Sequence, residues 1–235
     1  MYNFLDWLLH LLKLEAYFTP IELLLLIFGF AFWMAVYVIV IKNSRTLGFM
    51  EIPFFVECAD IAWEFCFSFN TDLGMPPIIR HGCQLWFALD CIIFYYFIKL
   101  GKGDLLTPAL KRFFIPMAIF WVIFWYYFSY YFAKQGYDNE IGGVSALLIN
   151  VGISATYIFQ FVRMKSIANL SYAVAWFKML GTGAIIAVCF MKWYDNKLLL
   201  VMCCAVVILD VLYVAIFTER WLEEKAGKNL INLYN

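Results

Sequence analysis

Hydrophobic residues in this chain form seven long runs separated by short polar segments, and each run is long enough to cross about 30 Å of hydrocarbon as a helix. The pattern predicts an all-α polytopic membrane protein: one domain over 1–235, with seven transmembrane helices in a single bundle. The composition agrees, since 65% of residues are hydrophobic, against about 45–50% in soluble proteins. The predicted spans lie near 20–41, 50–69, 83–99, 112–133, 142–162, 171–191 and 197–218.

The segment before the first run is too charged to span a membrane. Residues 2–18 carry their charges on one face and apolar side chains around the rest, which predicts an interfacial amphipathic helix. The segment lacks the basic start of a cleavable signal peptide, so we expect it to be retained. Thr19, Pro20 and Glu22 then form the T-x-x-E pattern of a capping box with proline in the first helical position, which marks the start of the first span.

The distribution of lysine and arginine predicts how the bundle is oriented. Odd-numbered loops and the C-terminus hold eleven of these residues, whereas the N-terminus and even-numbered loops hold five. Because basic residues favour the cytoplasmic side, we expect an outside or lumenal N-terminus and a cytoplasmic tail over 219–235, in the endoplasmic reticulum or a bacterial inner membrane. In the second loop, the stiff apolar segment 75–79 fits either a lid over the bundle or a proline-rich turn.

Charged residues inside the apolar runs are the main functional signal. A charge at mid-bilayer costs about 2.5–3.5 kcal/mol even on lenient scales, so such residues usually face the protein interior. In the second span, Glu57, Asp60 and Glu64 are spaced i, i+3 and i+7, which stacks them within about 60° of one another on a helix. Further charged residues lie in the third, sixth and seventh spans: Asp90, Lys178 and Asp210.

Other polar and aromatic side chains share faces with these charges. Trp86 lies one turn from Asp90 in the third span, and Tyr213 follows Asp210 in the seventh. Tyr157 lies on a polar stripe of the fifth span. We expect these faces to turn inward around one cavity. Two interpretations stay open for the charges: catalysis, or purely structural roles such as an ion pair between Lys178 and one of the acids.

Carboxyl groups in a dry aromatic cavity suit carbocation chemistry. A buried carboxylic acid can stay protonated near neutral pH and protonate an epoxide or alkene. Aromatic faces then stabilise the cation by about 0.5–2 kcal/mol per contact, and exclusion of water prevents quenching. The sequence contains no aspartate-rich motif for magnesium diphosphate, so we expect no metal and no cofactor. A formal net charge of zero, without a basic cluster, argues against nucleic acid.

The run Ile61-Ala62-Trp63-Glu64, Trp86 with Asp90, and Asp210 with Tyr213 resemble the small seven-helix integral-membrane terpene cyclases of fungal indole-diterpene and meroterpenoid pathways. The resemblance implies that Glu64 and Asp210 are the essential acidic pair. It also implies cyclisation of a lipophilic, prenylated and epoxidised small molecule without metal. We expect the following side chains to bind this substrate within the membrane lipid: Trp63, Asp60, Trp86, Asp90, Tyr157, Lys178 and Tyr213.

Two roles are open for Asp210, and two other protein classes compete with a cyclase. Asp210 could support the proton on Glu64 or act as the final base at the far end of the substrate. The span limits put the two acids at different depths, which favours the second role. A proton-coupled transporter would also use intramembrane acids. A retinal protein would need a lysine in the last span, where this chain has Asp210 instead.

Overall fold

The computed structural model describes residues 4–102, 107–164 and 166–226, and this part of the chain is helical without any strand. Lys165 and Lys228, two of the basic residues counted for the orientation, lie outside the described residues, as do 2–3 of the N-terminal segment and 227–235 of the tail. A π-helical turn over Cys66–Asn70 continues the third helix. The helices are α1 (Phe4–Leu11), α2 (Pro20–Leu47), α3 (Phe54–Phe65), α4 (Pro77–Leu100), α5 (Pro108–Lys134), α6 (Gly143–Arg163), α7 (Tyr172–Lys192) and α8 (Lys197–Lys225).

Six of the described helices, α2 and α4 to α8, are long and apolar enough to cross a membrane. This confirms the prediction of an all-α polytopic membrane protein. The predicted second span is not among the six, because α3 has only 12 residues before its π-helical turn and contains three acids.

The short helix α3 nevertheless runs between opposite ends of the bundle. At its start, Phe54 packs against Phe97 near the end of α4 and Phe114 near the start of α5. At its other end, Phe67 lies so close to Gly142, before α6, that a Cβ there would come within 2.5 Å of its ring. The course of α3 from one end of the bundle to the other supports seven crossings, and that number stays a prediction.

The N-terminal helix is shorter than the predicted 2–18. Helix α1 ends at Leu11, and Lys13 takes a left-handed backbone conformation with φ of 56°, which a helix cannot continue through. The following segment folds onto the bundle, where Leu14 and Phe18 are buried with Leu9. The outward side of α1 exposes large apolar side chains, as expected of an interfacial helix: Phe4, Trp7 and Leu11.

Prolines and caps define where two long helices begin. The predicted capping box is present, since the Thr19 N–H donates to Glu22 Oε2 at 2.7 Å and the Glu22 N–H donates to Thr19 Oγ1 at 3.4 Å. In the second loop, Pro77 occupies the first turn of α4 and Met75 is buried. Residues 75–76 thus precede α4 and 77–79 form its first turn, where Ile78 and Ile79 line the large cavity described below; the choice between a lid and a proline-rich turn stays open.

Glycines bring α2 and α7 into close contact. A Cβ on Gly29 would lie 3.1 Å from the Gly181 carbonyl oxygen, and a Cβ on Gly181 would lie 3.2 Å from the Gly29 carbonyl oxygen. Small residues let membrane helices approach this closely without steric clash. Both helices continue from this contact toward residues of the site, Tyr37 on α2 and Lys178 on α7.

Candidate active site

The charged side chains within the apolar runs lie inside the bundle. Glu57 is fully buried, Glu64 is 4% exposed and Asp90 is 2% exposed. Asp60, on the same stripe, is partly buried and interacts electrostatically with Lys178. The stripe on α3 thus faces protein, as the spacing predicts, and α4 and α7 contribute the groups opposite it.

Glu64 on α3 is held by a tyrosine that the sequence analysis did not single out. The Tyr37 hydroxyl on α2 donates to Glu64 Oε1, and Asp90 on α4 also interacts with this carboxyl group. The second oxygen, Oε2, is buried without a hydrogen-bond partner. Tyr37 was missed because it lies in an almost wholly apolar span, 27 residues from Glu64, with no local motif that joins them.

Asp210 on α8 is held by a different set of groups. Lys178 Nζ donates to Asp210 Oδ1 at 2.5 Å and to Ser154 Oγ at 2.8 Å. The side chains of the ion pair are only 3% and 4% exposed. Lys178 is therefore the counter-ion of Asp210, and within the described part of the chain Glu64 and Asp210 share no hydrogen-bond partner.

A small chamber of about 20 Å³ lies between these two pairs. Tyr37 and Lys178 both line it, so it touches a partner of each acid. Three further predicted substrate-binding residues also line the chamber: Asp60, Asp90 and Tyr157.

A large apolar cavity of about 450 Å³ lies nearer the end of the bundle where α1 packs. Trp63 and Trp86, both predicted to bind substrate, form part of its wall. The N-terminal segment closes one side through Leu12 and Leu14, and the start of α4 contributes Ile78. Cavities of about 300–1,000 Å³ with mostly apolar walls are typical binding sites for small organic molecules.

Trp63 is fixed in the cavity wall by hydrogen bonds from α6. Its indole Nε1–H donates to Ser145 Oγ at 2.8 Å, and the Ser145 hydroxyl donates in turn to Asp138. Asp138, in the loop before α6, also accepts the Val144 N–H at 2.8 Å. Burial raises the pKa of Asp138, although these hydrogen bonds oppose that shift. Trp63 also stacks on Phe67, with ring centres 4.6 Å apart. The rotamer of Trp63 is thus held from two sides.

Tyr213 lies apart from both cavities, in an aromatic cluster. It packs edge-on against Tyr157, with ring centres 5.6 Å apart, and against Phe161 at 5.8 Å and Phe217 at 5.8 Å. Tyr213 thus meets the site through Tyr157, which lines the small chamber, and it also interacts electrostatically with Asp210 on its own helix. Its predicted contact with substrate stays a prediction.

Glu51 is a buried acid that the sequence analysis missed. It lies in the loop between α2 and α3, is 1% exposed, and accepts the Ser171 N–H at the start of α7 at 3.1 Å. Burial raises the pKa of Glu51 to about 8, although this hydrogen bond opposes the shift. No motif marks it in the sequence, because it stands alone at the edge of a predicted span.

These features define a class of protein: a membrane-embedded bundle with a large apolar cavity and two buried acids outside its lining, one next to Trp63 in the sequence and the other paired with lysine. Among the described residues, no group of three His, Cys, Asp or Glu side chains could hold a metal ion. The expectation of a metal-free reaction does not depend on this observation and stays a prediction.

The chain belongs to the family of Pyr4-like transmembrane terpene cyclases, whose family model matches residues 15–221. It is similar to terpene cyclase trt1 of Aspergillus terreus, at 26% identity over 93 residues, which cover 39% of this chain and 45% of that relative. It is also similar to terpene cyclase spyD of Aspergillus fumigatus, at 24% identity over 210 residues, which cover 83% of this chain and 86% of that protein. No solved structure matches the chain.

The family assigns the chain to the membrane terpene cyclases, and it does not favour the transporter interpretation. The first of these relatives is matched over less than half of its length. The substrate, the way in which the reaction starts and the roles of individual residues are therefore matters for proposal.

Proposed function

We propose that this protein cyclises a lipophilic prenyl chain by protonating an epoxide or alkene and guiding the resulting carbocation within the large cavity. The observation that carries this proposal is the apolar cavity of about 450 Å³ whose wall includes Trp63, the neighbour of the buried acid Glu64. A prenyl chain dissolves in the membrane and matches such a cavity in polarity. Indole faces such as those of Trp63 and Trp86 stabilise a cation without capturing it.

In this proposal Glu64 is the general acid. Its proton passes to the epoxide oxygen, the carbon–oxygen bond breaks, and a tertiary cation forms on the prenyl chain. Tyr37 supports this role because its hydroxyl group fixes one carboxyl oxygen of Glu64 and leaves Oε2 without a partner. Burial away from water favours the protonated form of a carboxyl group that has no cation beside it.

Asp210 is the final base in this proposal. The last cation loses a proton from carbon to Asp210, and a carbon–carbon double bond forms in the product. The buried ion pair with Lys178 supports this role, because it fixes one carboxyl oxygen of Asp210 and leaves Oδ2 without a hydrogen-bond partner among the described residues. The absence of any shared hydrogen-bond partner between Glu64 and Asp210 also favours this role over support of the acid.

We also propose that the N-terminus lies on the lumenal or outer side and the C-terminus in the cytoplasm. The large cavity then opens toward the lumenal half of the bilayer, because its lining residues include Leu12 and Leu14 of the N-terminal segment. The substrate would reach it laterally from the lipid.

Membranes containing the protein, incubated with an epoxidised prenyl substrate, test the proposal. We expect a cyclic product of unchanged mass in which one oxygen has become a hydroxyl group. Glu64→Gln keeps the shape of the side chain and removes its transferable proton, so turnover should fall by about 10²–10⁴, the usual contribution of general acid catalysis.

The matched control is Glu57→Gln, which changes a buried acid on the same helix. Like Glu64 it lines neither described cavity, but unlike Glu64 neither of its carboxyl oxygens has a hydrogen-bond partner among the described residues. It should stay within a few-fold of the wild type. Turnover of Glu64→Gln at the rate of this control would remove Glu64 from the mechanism.

A further inference from the structure

In the proposed reaction Glu64 loses a proton and Asp210 gains one. The small chamber lies between the hydrogen-bond partners of these two acids. Tyr37 lines the chamber and donates to Glu64, and Lys178 lines it and donates to Asp210. No hydrogen bond links the two pairs directly among the described residues. The chamber is a space that touches one hydrogen-bond partner of the proposed acid and one of the proposed base.

The chamber has the size and polarity of a site for one water molecule. A site of about 10–15 Å³ suffices for one water, which needs two to four polar partners; this one measures about 20 Å³. Five polar side chains line it: Tyr37, Asp60, Asp90, Tyr157 and Lys178. The other lining residues are apolar and separate it from its surroundings: Trp33, Val36, Val40, Ile52, Val56, Ile93 and Ile153.

Each turnover of the proposed reaction moves one proton from Glu64 to Asp210, and this proton must be returned. Cyclisation changes no atom count, since the substrate gains one proton from Glu64 at the start and loses one to Asp210 at the end. After one turnover Glu64 is a carboxylate and Asp210 is a carboxylic acid. The next turnover cannot begin until one proton has moved from Asp210 to Glu64, or each group has exchanged with solvent through an apolar bundle.

We propose that the chamber holds one water molecule that returns this proton from Asp210 to Glu64 through Lys178 and Tyr37. The proton on Asp210 passes to Lys178 Nζ while Nζ releases one to the water. The water passes a proton to the Tyr37 oxygen, whose own proton passes to Glu64. Lys178, the water and Tyr37 each end in the protonation state in which they began. The net change is one proton moved from Asp210 to Glu64, and no co-reactant is needed. Asp60 and Asp90 orient the water. This inference rests on the proposed function.

Filling the chamber with carbon tests the proposal. Val56→Ile on α3 and Val40→Ile on α2 each add one methylene to the chamber wall, at side chains that are 2% and 0% exposed. The matched control is Val206→Ile on α8, a valine that is 0% exposed and lines neither described cavity. Two filling variants from different helices keep the test valid if one of them folds poorly.

The measurement compares the first turnover with later ones by rapid mixing. With enzyme in excess, both filling variants should convert substrate as fast as Val206→Ile, because Glu64 is already protonated. With substrate in excess, they should release a burst of one product per enzyme and then slow by about ten-fold or more, because the acid is no longer recharged. Val206→Ile should show no burst.

Three results would overturn the proposal. Steady-state turnover of both filling variants equal to that of the control would show that the chamber carries no proton. An equal loss in the first and later turnovers would make the chamber part of the site's shape instead. If the wild-type protein forms no product, the proposed function itself fails, and the proton return with it. Only the last result involves the unmodified chain, so the two failures are distinguishable.

Discussion

Trp63 illustrates, at the scale of single residues, how a side chain in the cavity is set by groups far from it in sequence. Its indole N–H reaches Ser145, 82 residues further along the chain, and Asp138 completes the connection. A rigid aromatic face matters in carbocation chemistry, because the position of the ring decides which cation is stabilised. The product pattern should therefore depend on residues that never touch the substrate.

Ser145→Ala tests this dependence. It removes the acceptor of the buried Trp63 N–H, which should cost about 1–3 kcal/mol of stability and let the ring move. We expect a lower melting temperature and a changed ratio of cyclic products, measured by gas chromatography. Ser129→Ala is the control, because Ser129 is also fully buried but its hydroxyl oxygen has no partner. A product ratio identical to that of the control would mean that Trp63 needs no support from α6.

Asp210→Asn separates the two roles that the sequence leaves open for Asp210. If Asp210 is the final base, the variant should still consume substrate and release altered or water-quenched products. If it supports the proton on Glu64, no product should form. Mass spectrometry of the products decides between these results. Normal product at a normal rate would leave Asp210 with a structural role as the partner of Lys178.

The charged residues of the site could be predicted from the sequence, because a charge is energetically costly inside a membrane. Its tyrosine and serine residues could not, because they carry no such cost. A charge in an apolar run is conspicuous, so Glu64, Asp90, Lys178 and Asp210 could be chosen from the sequence alone. Tyrosine and serine are ordinary in membrane helices, so neither Tyr37 nor Ser145 gave a signal. Which acid pairs with Lys178 depends on helix packing, and no spacing along the chain could decide it.

Helix α3 decides the topology at the scale of elements. If it crosses the membrane, the chain has an odd number of crossings and its termini lie on opposite sides. If it does not, the six long helices put both termini on the same side. We expect reporter tags at Met1 and Asn235 to signal from the lumen and the cytoplasm, respectively. A C-terminal tag that signals from the lumen would contradict either the seven crossings or the assignment of the loops to the two sides.

The loop before α3 should make the stability of the fold depend on pH through Glu51. Its pKa is raised from an ordinary 4.5 to about 8, so the folded state binds this proton more tightly than the unfolded state does. Its contribution to stability is full below about pH 4.5 and is lost as the pH rises toward 8. In detergent, the melting temperature should therefore fall between pH 5 and 8, and fall less in Glu51→Gln. Equal slopes for the two proteins would contradict this assignment.

Element limits followed the sequence where local signals were strong. The capping box at Thr19 fixed the start of α2, and long apolar runs located α5 to α8. The N-terminal helix was drawn too long, because amphipathic spacing does not reveal that Lys13 adopts a left-handed conformation. Helix α4 starts before its predicted span, because Pro77 suits a first helical turn as well as it suits a loop.

At the scale of the whole molecule, the bundle divides its interior by polarity. The large cavity has mostly apolar walls, whereas the small chamber is lined by acids, a lysine and tyrosines. The two spaces meet at α3, where Trp63 lines the cavity and Asp60 lines the chamber; in our proposal the first holds substrate and the second carries protons. The sequence predicted one shared cavity, because the direction of each side chain within a bundle depends on how its helix is rotated.

The ion pair between Lys178 and Asp210 also has a consequence for biogenesis. Helices α7 and α8 are joined by a four-residue connection over 193–196, and the two charges lie at nearly equal distances from it. Each charge alone would oppose release from the translocon into lipid by about 2.5–3.5 kcal/mol. A helical hairpin that leaves the translocon as one unit presents the two charges to each other at the same depth. The last two spans should therefore partition into the bilayer together, with the charge of Asp210 balanced by that of Lys178 before the rest of the bundle assembles around them.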